Sequence, residues 1–362
     1  MFLTAYNLPH YLISKGIISA QSVVDGDLVV TEAGRRNRNF KIIRRKHPGL
    51  FVKQVKTSDA QAATTLRREA AFYRVVASDV KYSGIRDFVP VFVNYDERRH
   101  SLTINLVGDS ETVGERILRE GGYRDDTAQM LGQVLGRIHS QGIGLAADPG
   151  FKSLLTWQPP WPLTLDQSGY GFLDSMGAVG PHLSAAIRQH PTLQPMLTSL
   201  RSMWRYDSLI HGDMKWDNCL VTNATPPQLT IVDWELVDMG DGAWDVAAVF
   251  KEYVIAALLS VSNRDWAVAH NQPAPQLVTL QAMQPAAHAF WQAYVEARRL
   301  PDAAVYLDRA VRLTGARMMI AILEYLFTSS ELGSFGGNLL QTGVNILQSP
   351  QLAAAQLLGT QV

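Results

Sequence analysis

The chain has 362 residues, 47% hydrophobic and 18% charged, with 33 Lys and Arg balanced by 33 Asp and Glu. That composition excludes a disordered chain and supplies nonpolar side chains for two cores of ordinary domain size. A single cysteine, Cys219, excludes a disulfide framework and makes a reducing, cytoplasmic setting the expectation.

The first residues, Met1 to Pro9, lack the basic start and long apolar run of a secretory signal. The most apolar helical stretches are Ala243 to Val261, which carries Asp245, Lys251 and Glu252, and Met318 to Phe327, which is too short to span a bilayer. Both read as core helices, and no membrane entry is expected. Charge is uneven. Residues 1–105 hold 17 Lys and Arg against 9 Asp and Glu, leaving 16 against 24 beyond them. A basic first part suits an anionic ligand and an acidic remainder suits cations, although either can be a solvated surface.

In chain order, residues 27–33, 38–46 and 50–56 are rich in Val, Ile and Phe and read as three antiparallel strands. Asp59 to Ser78 places Ala62, Leu66, Ala70, Tyr73 and Ala77 at helical spacing, with Asp59 as a cap. Val91–Tyr95 and Ser101–Val107 complete a five-stranded sheet. Thr127 to Gln141 reads as an amphipathic helix, and residues 148–182, rich in Pro, Gly and Trp, as irregular loop. Strands carrying the polar motifs occupy about 209–235, and helices run from Ala243 onward. The expected fold is α+β and bilobal. Residues 1–107 are expected to form a small lobe, and 108–362 a larger, mostly helical one. A ligand cleft is expected at their seam.

Several residues in this frame can do chemistry. Glu32 to Phe40 joins two strands through Gly34, Asn37 and Asn39, where positive φ is tolerated, and can aim N–H groups and arginines at phosphate. It can equally be a basic hairpin tip. The two-residue period puts Lys53 on the face of Phe51 and Val55, leaving Lys56 the more solvated. A buried ammonium needs a partner, and Glu69, on the inward stripe of its helix, offers one. Such a pair would hold Lys53 against the α- and β-phosphates, or be purely structural.

His211-Gly212-Asp213 ends an apolar run, Asn218 follows five residues after Asp213, and Asp233 lies on the next strand. This spacing is the one phosphoryl-transfer enzymes use, with Asp213 as general base and Asn218 and Asp233 as oxygen ligands of Mg²⁺. His211 reads as a brace for the backbone, with proton transfer as the lesser alternative, and Asp245, at a helix start, as a tether for the loop. Lys215 can neutralise a γ-phosphate or be exposed, Asp217 points into the same loop, and Cys219 reads as a small buried apolar residue. No P-loop, Gly-x-Gly-x-x-Gly, His-Glu-x-x-His or Cys pair is present, which leaves a P-loop ATPase, a Rossmann dehydrogenase and a zinc enzyme without support.

On these residues the chain resembles the aminoglycoside phosphotransferase and choline kinase-like family, relatives of protein kinases, over about residues 27–259. His211-Gly212-Asp213 to Asn218 is similar to its His-Gly-Asp-x-x-x-x-Asn loop, Asp233 to its metal-binding aspartate, and Asp245 to the second aspartate of its Gly-Asp-x-x-x-Asp segment. Gly34 to Phe40 resembles its phosphate loop, with Arg36 in place of the usual Ser. Lys53 and Glu69 fall where its ATP-anchoring pair is expected, and Ile138-His139 resembles its Leu-His helix end.

The resemblance implies an ATP- and Mg²⁺-dependent kinase, with adenine near Asn105, Leu106 and Val107. The acceptor would be the hydroxyl of a small molecule such as an amino sugar or amino alcohol. Two alternatives stand beside it: phosphorylation of Ser or Thr in a precursor peptide, and a non-catalytic pseudokinase-like binder. No nucleic-acid partner is expected.

Overall fold

The computed structural model describes residues 2–34, 38–56, 58–270, 272–273, 275–276, 278–329 and 331–359. The chain divides into two compact units. One comprises Met1–Arg119, Gln141–Leu155 and Asp217–Val237; the other comprises Glu120–Ser140, Thr156–Trp216 and Asp238–Val362.

The first unit is built on an antiparallel sheet of β1 (Leu28–Glu32), β2 (Arg38–Arg44), β3 (Leu50–Gln54), β4 (Phe92–Asp96) and β5 (Ser101–Asn105), in the order β1-β2-β3-β5-β4. These are the five expected strands, each within two residues of its expected ends. Central β3 is covered on both faces, so its burial does not alternate even though its side chains do. Phe40, Ile42, Leu50 and Val52 face one way and pack against Leu3, Leu8, Tyr11 and Leu12. The cover is an N-terminal helix, Leu8–Ser14, where the sequence suggested no element. At seven residues with Pro9 in its first turn, it is too short to show a period. Gln54, on the same face, anchors this segment by accepting from the Leu3 N–H at 2.8 Å.

The opposite face carries Asn39, Phe51 and Lys53, in register at Asn39↔Lys53 and Lys53↔Leu102. Helix α1 (Ala60–Ser78) starts where expected, with the Asp59 carboxylate accepting from the Ala62 N–H at 2.9 Å. Its buried stripe of Leu66, Glu69, Phe72, Tyr73 and Val76 is 3.6-periodic. A second antiparallel sheet, β6-β8-β9, joins β6 (Ser110–Thr112), β8 (Cys219–Thr222) and β9 (Leu229–Ile231). Cys219 is buried there.

In the second unit β7 (Ser208–Ile210) pairs with β10 (Asp238–Gly240), so the strands expected at 209–235 belong to two separate sheets. Five long helices follow the expected pattern: α2 (Asp125–Gln141), α3 (Gly242–Ala269), α4 (Leu280–Arg298), α5 (Ala303–Ser329) and α6 (Gly333–Gln348). Helix α2 meets α4 at unusually close range because Gly132 and Gly136 lack side chains. A Cβ at Gly132 would lie 2.2 Å from the Phe290 carbonyl oxygen, and one at Gly136 2.9 Å from that of Tyr294. That approach sets His139, three residues on, beside Tyr294.

Residues 148–182 depart from the irregular loop expected of them. They form short turns of helix at Pro149–Lys152, Trp161–Thr164, Leu165–Gly169, Tyr170–Asp174 and Val179–Arg188. Pro149 and Pro162 sit in first turns, where a missing N–H costs nothing, so here proline starts helices rather than breaking them. No helix among the described residues is long and apolar enough to cross a membrane.

Candidate active site

In the first unit, the Lys53 face of the sheet and the β8–β9 ends wall a cavity of about 680 Å³. Apolar Phe51 and Ile104 line it together with Asn105, Val107, Asn218 just before β8 and Asp233 just after β9. Lys53 stands 2.9 Å from each Glu69 carboxylate oxygen and also donates to Asp233 Oδ1. Tyr73 donates to Glu69 Oε1 at 3.2 Å.

One ammonium thus serves two carboxylates. Burial of Lys53 works against its charge, but Glu69 and Asp233 outweigh it and hold its pKa above the ordinary lysine value. Burial pushes Glu69 up to about 7, with Lys53 opposing and Asp233 adding to the rise. Burial and the Glu69 carboxylate likewise raise Tyr73, which stays a donor.

Asp233 has left-handed backbone, φ 68° and ψ 53°, a conformation costing an ordinary residue about 1–3 kcal/mol. Neighbouring contacts brace it. The Val232 N–H donates to the Asn218 carbonyl at 2.9 Å, and the Trp234 ring stacks on Phe72 with centroids 4.3 Å apart. Asp233 therefore follows β9, which ends at Ile231, rather than lying on that strand as expected; its carboxylate is turned toward Lys53 and its side chain is 34% exposed. Among the described residues, no group of three or more His, Cys, Asp or Glu is gathered to hold a metal. Asn218 and Asp233 offer two hard oxygens on one cavity wall. Such a donor set fits Mg²⁺, which keeps waters and takes its other ligands from phosphate, and does not fit zinc.

The expected phosphate-loop residues lie apart from this lining. Gly34 is exposed, beside Ala33 on the cavity rim, and Asn37, with Arg36, lies outside the described residues. Asn39 belongs to β2 rather than to the turn. Its Oδ1 is buried without a hydrogen-bond partner among the described residues, and the residue lines the cavity. The strand phase that placed Lys53 could have placed Asn39 too, because the two are paired in register.

The second unit holds the His211 loop. Asp245, in the first turn of α3, accepts from the His211 N–H at 2.6 Å and the Gly212 N–H at 3.0 Å. His211 Nδ1 accepts from the Asp213 N–H at 3.2 Å. Gly212 has φ +84°, a conformation only glycine adopts without strain, which lets both N–H groups converge on one carboxylate. Burial alone would raise Asp245, but the hydrogen bond from His139 and the nearby Arg317 guanidinium hold it below the usual carboxylate value. Lys215 Nζ lies 2.8 Å from Asp213 Oδ2. Met214 is buried, and Trp216 packs edge-on to Tyr253, 5.3 Å between centroids. The loop is therefore fixed at both ends.

Set against known proteins, residues 27–270 match the family model described as the phosphotransferase enzyme family. Among solved structures, Plasmodium vivax ethanolamine kinase is similar over 97% of this chain and 89% of its own, with TM-score 0.59 and 13% identity. Choline kinase from Cryptosporidium parvum is similar over 98% and 99%, with TM-score 0.59 and 12% identity. A GDP complex of an aminoglycoside 2′-phosphotransferase-IIIa mutant covers 96% and 98%, with TM-score 0.52 and 16% identity. At these identities the likeness is one of fold, and the fold is kinase-like. No curated protein matches. With the family model spanning well over half its length, the chain belongs to the phosphotransferase enzyme family.

Proposed function

We propose that this phosphotransferase moves the γ-phosphoryl group of ATP, with Mg²⁺, to a hydroxyl of a small cationic acceptor such as an amino alcohol or amino sugar. The observation that carries the reading is the single ammonium of Lys53 shared between Glu69 and Asp233, in a cavity that Asn218 also faces. Residues 1–107 would supply the phosphate grip, and residues 108–362 the catalytic loop, the metal oxygens and the acceptor site.

Lys53, held charged by Glu69, would sit against the α- and β-phosphates, and the adenine would lie along Asn105 and Val107. Asn218 and Asp233 would hold magnesium, which when bound neutralises charge on the β- and γ-phosphate oxygens. Asp213 would orient the acceptor hydroxyl and take its proton as the acceptor oxygen bonds to the γ-phosphorus. The bond from that phosphorus to the β,γ-bridging oxygen breaks, and ADP leaves. Lys215, already paired with Asp213, would meet the charge that accumulates on the transferred group. The net acidic charge beyond residue 105 and a kinase-like fold shared with choline and ethanolamine kinases support the cationic acceptor. The lone, buried Cys219 suits a reducing, cytoplasmic setting.

The test is ADP release with ATP and Mg²⁺ over a panel of amino alcohols, amino sugars and Ser-containing peptides. Turnover with an amino alcohol or amino sugar, lost in Asp213→Ala while ATP still binds, is the expected result. Turnover with peptides alone would overturn the acceptor class. No nucleotide binding by the parent protein would overturn the reading altogether.

A further inference from the structure

Behind the His211 loop runs a line of buried hydrogen bonds that ends outside the residues matched by the family. His139, at the end of α2, lies 3.1 Å through Nε2 from Asp245 Oδ2 and 2.9 Å through Nδ1 from the Tyr294 hydroxyl on α4. Tyr294 in turn lies 2.7 Å from the hydroxyl of Tyr306 on α5. His139, Asp245 and Tyr294 are fully buried and Tyr306 is 5% exposed, so the line runs through the protein interior. Gly242 leaves room for the line: a Cβ there would meet the Tyr306 hydroxyl at 2.7 Å and His139 Nδ1 at 2.9 Å. Helix α4 adds a second tie, because Arg298 donates to the His139 carbonyl and, at 2.8 Å, to Ser208 Oγ on β7.

The donors can be ordered. The Asp245 carboxylate already collects two backbone N–H groups and can only accept, so His139 Nε2 carries a proton toward it. Nδ1 is then the acceptor for the Tyr294 hydroxyl, and the Tyr294 oxygen accepts from Tyr306. In this order every proton is used. In the reverse order Tyr306 would need an acceptor other than Tyr294, and none is in hydrogen-bond contact among the described residues.

We propose that Tyr294 and Tyr306 are positioning residues for the Asp213 loop. They fix His139 as its Nε2–H tautomer and so aim the Asp245 carboxylate at the His211 and Gly212 N–H groups. The helices beyond residue 270 thereby set the geometry of the loop with no residue touching a substrate. The kinetic part of the test rests on the reading of Asp213 given above, and the exchange part does not.

The experiment is hydrogen exchange on the full chain, with ¹⁵N-histidine spectra, for the parent, Tyr294→Phe and Tyr306→Phe. The parent should show a His139 ring bare at Nδ1 and protonated at Nε2. Tyr294→Phe should speed exchange of the His211 and Gly212 amides about tenfold, the worth of one buried hydrogen bond, while α6 amides keep the parent rate. Tyr306→Phe should give a smaller change of the same pattern. Where an acceptor is turned over, kcat should fall with the loop's protection and KM for ATP should hold.

Equal acceleration in α6 would mean general loosening and would overturn the proposal, as would a His139 bare at Nε2. Unchanged loop exchange in both variants would also overturn it. If Tyr294→Phe does not fold, Tyr306→Phe, which keeps the bond to Nδ1, decides the matter alone. An inactive parent with the expected exchange pattern would sink the catalytic reading and leave this one standing.

Discussion

The two charged clusters of this protein solve opposite problems. Around Lys53, one ammonium is divided between two carboxylates, and one of these, Asp233, is left a third exposed in a large cavity. Around Asp245, one fully buried carboxylate accepts from two backbone N–H groups and an imidazole. The first arrangement can exchange partners at modest cost, since a phosphate or a cation can replace what Lys53 and Asp233 give one another. The second cannot, because any lost bond leaves a buried group unpaired. Charge that must meet a ligand stays partly wet, and charge that only shapes backbone is sealed.

Substitution should separate them. Asp245→Ala would leave two loop N–H groups and His139 without their acceptor and should destabilise the protein by about 3–5 kcal/mol, read by chemical denaturation. Lys53→Met should do the reverse. Glu69 can take a proton and Tyr73 remains its partner, so the fold should hold. Phosphoryl transfer should fall by about 10²–10³, the usual worth of one preorganised charge, in steady-state kinetics. If Lys53→Met unfolds the protein and Asp245→Ala does not, the contrast is wrong.

The clusters should also respond to pH with opposite sign. Glu69 has a folded pKa of about 7, above its unfolded value, so the native state binds the extra proton. Its contribution is fully present below the unfolded pKa, about 4.5, and is lost as pH rises toward 7. Asp245 is held below its ordinary value, so its contribution is present above about pH 3.8 and is lost as pH falls through its lower folded pKa. Denaturation midpoints from pH 3 to 8 should therefore fall at both ends. Glu69→Gln should remove the decline between 4.5 and 7 and leave the acid limb in place. The smallest effect belongs to Asn39→Ala, which should weaken nucleotide binding a few-fold by calorimetry, as befits one neutral hydrogen-bonding group.

Much of the sheet was legible because strand phase is a local property. The period that set Lys53 with Phe51 needed only seven residues, and the inward stripe of α1 put Glu69 opposite. Asp59 announced its helix by the chemistry of capping. What stayed hidden is what depends on partners distant in sequence. Residues 8–14 form a helix because the back of β3 needs a cover, and nothing within those seven residues says so. Pro149 and Pro162 looked like breakers, since proline at a first turn and proline in a loop are the same letter. Nothing local marks Tyr294 or Tyr306, since only the packing of Gly132 and Gly136 against α4 brings the Tyr294 hydroxyl to His139 and, through it, Tyr306 into the line. The polar motifs stood out because their spacing is short: Asp213 and Asn218 are five residues apart. Asn39 was read into the turn because asparagine tolerates positive φ, which masked its place on the Lys53 face.

The most direct test of the account follows phosphorus itself. In a ³¹P spectrum of the protein with ATP, Mg²⁺ and an amino alcohol or amino sugar that it turns over, a phosphomonoester signal should grow in step with ADP. It should vanish in Asp213→Ala and in Asp233→Asn. ADP accompanied only by inorganic phosphate, or an ester formed equally well by the Asp213→Ala protein, would contradict it.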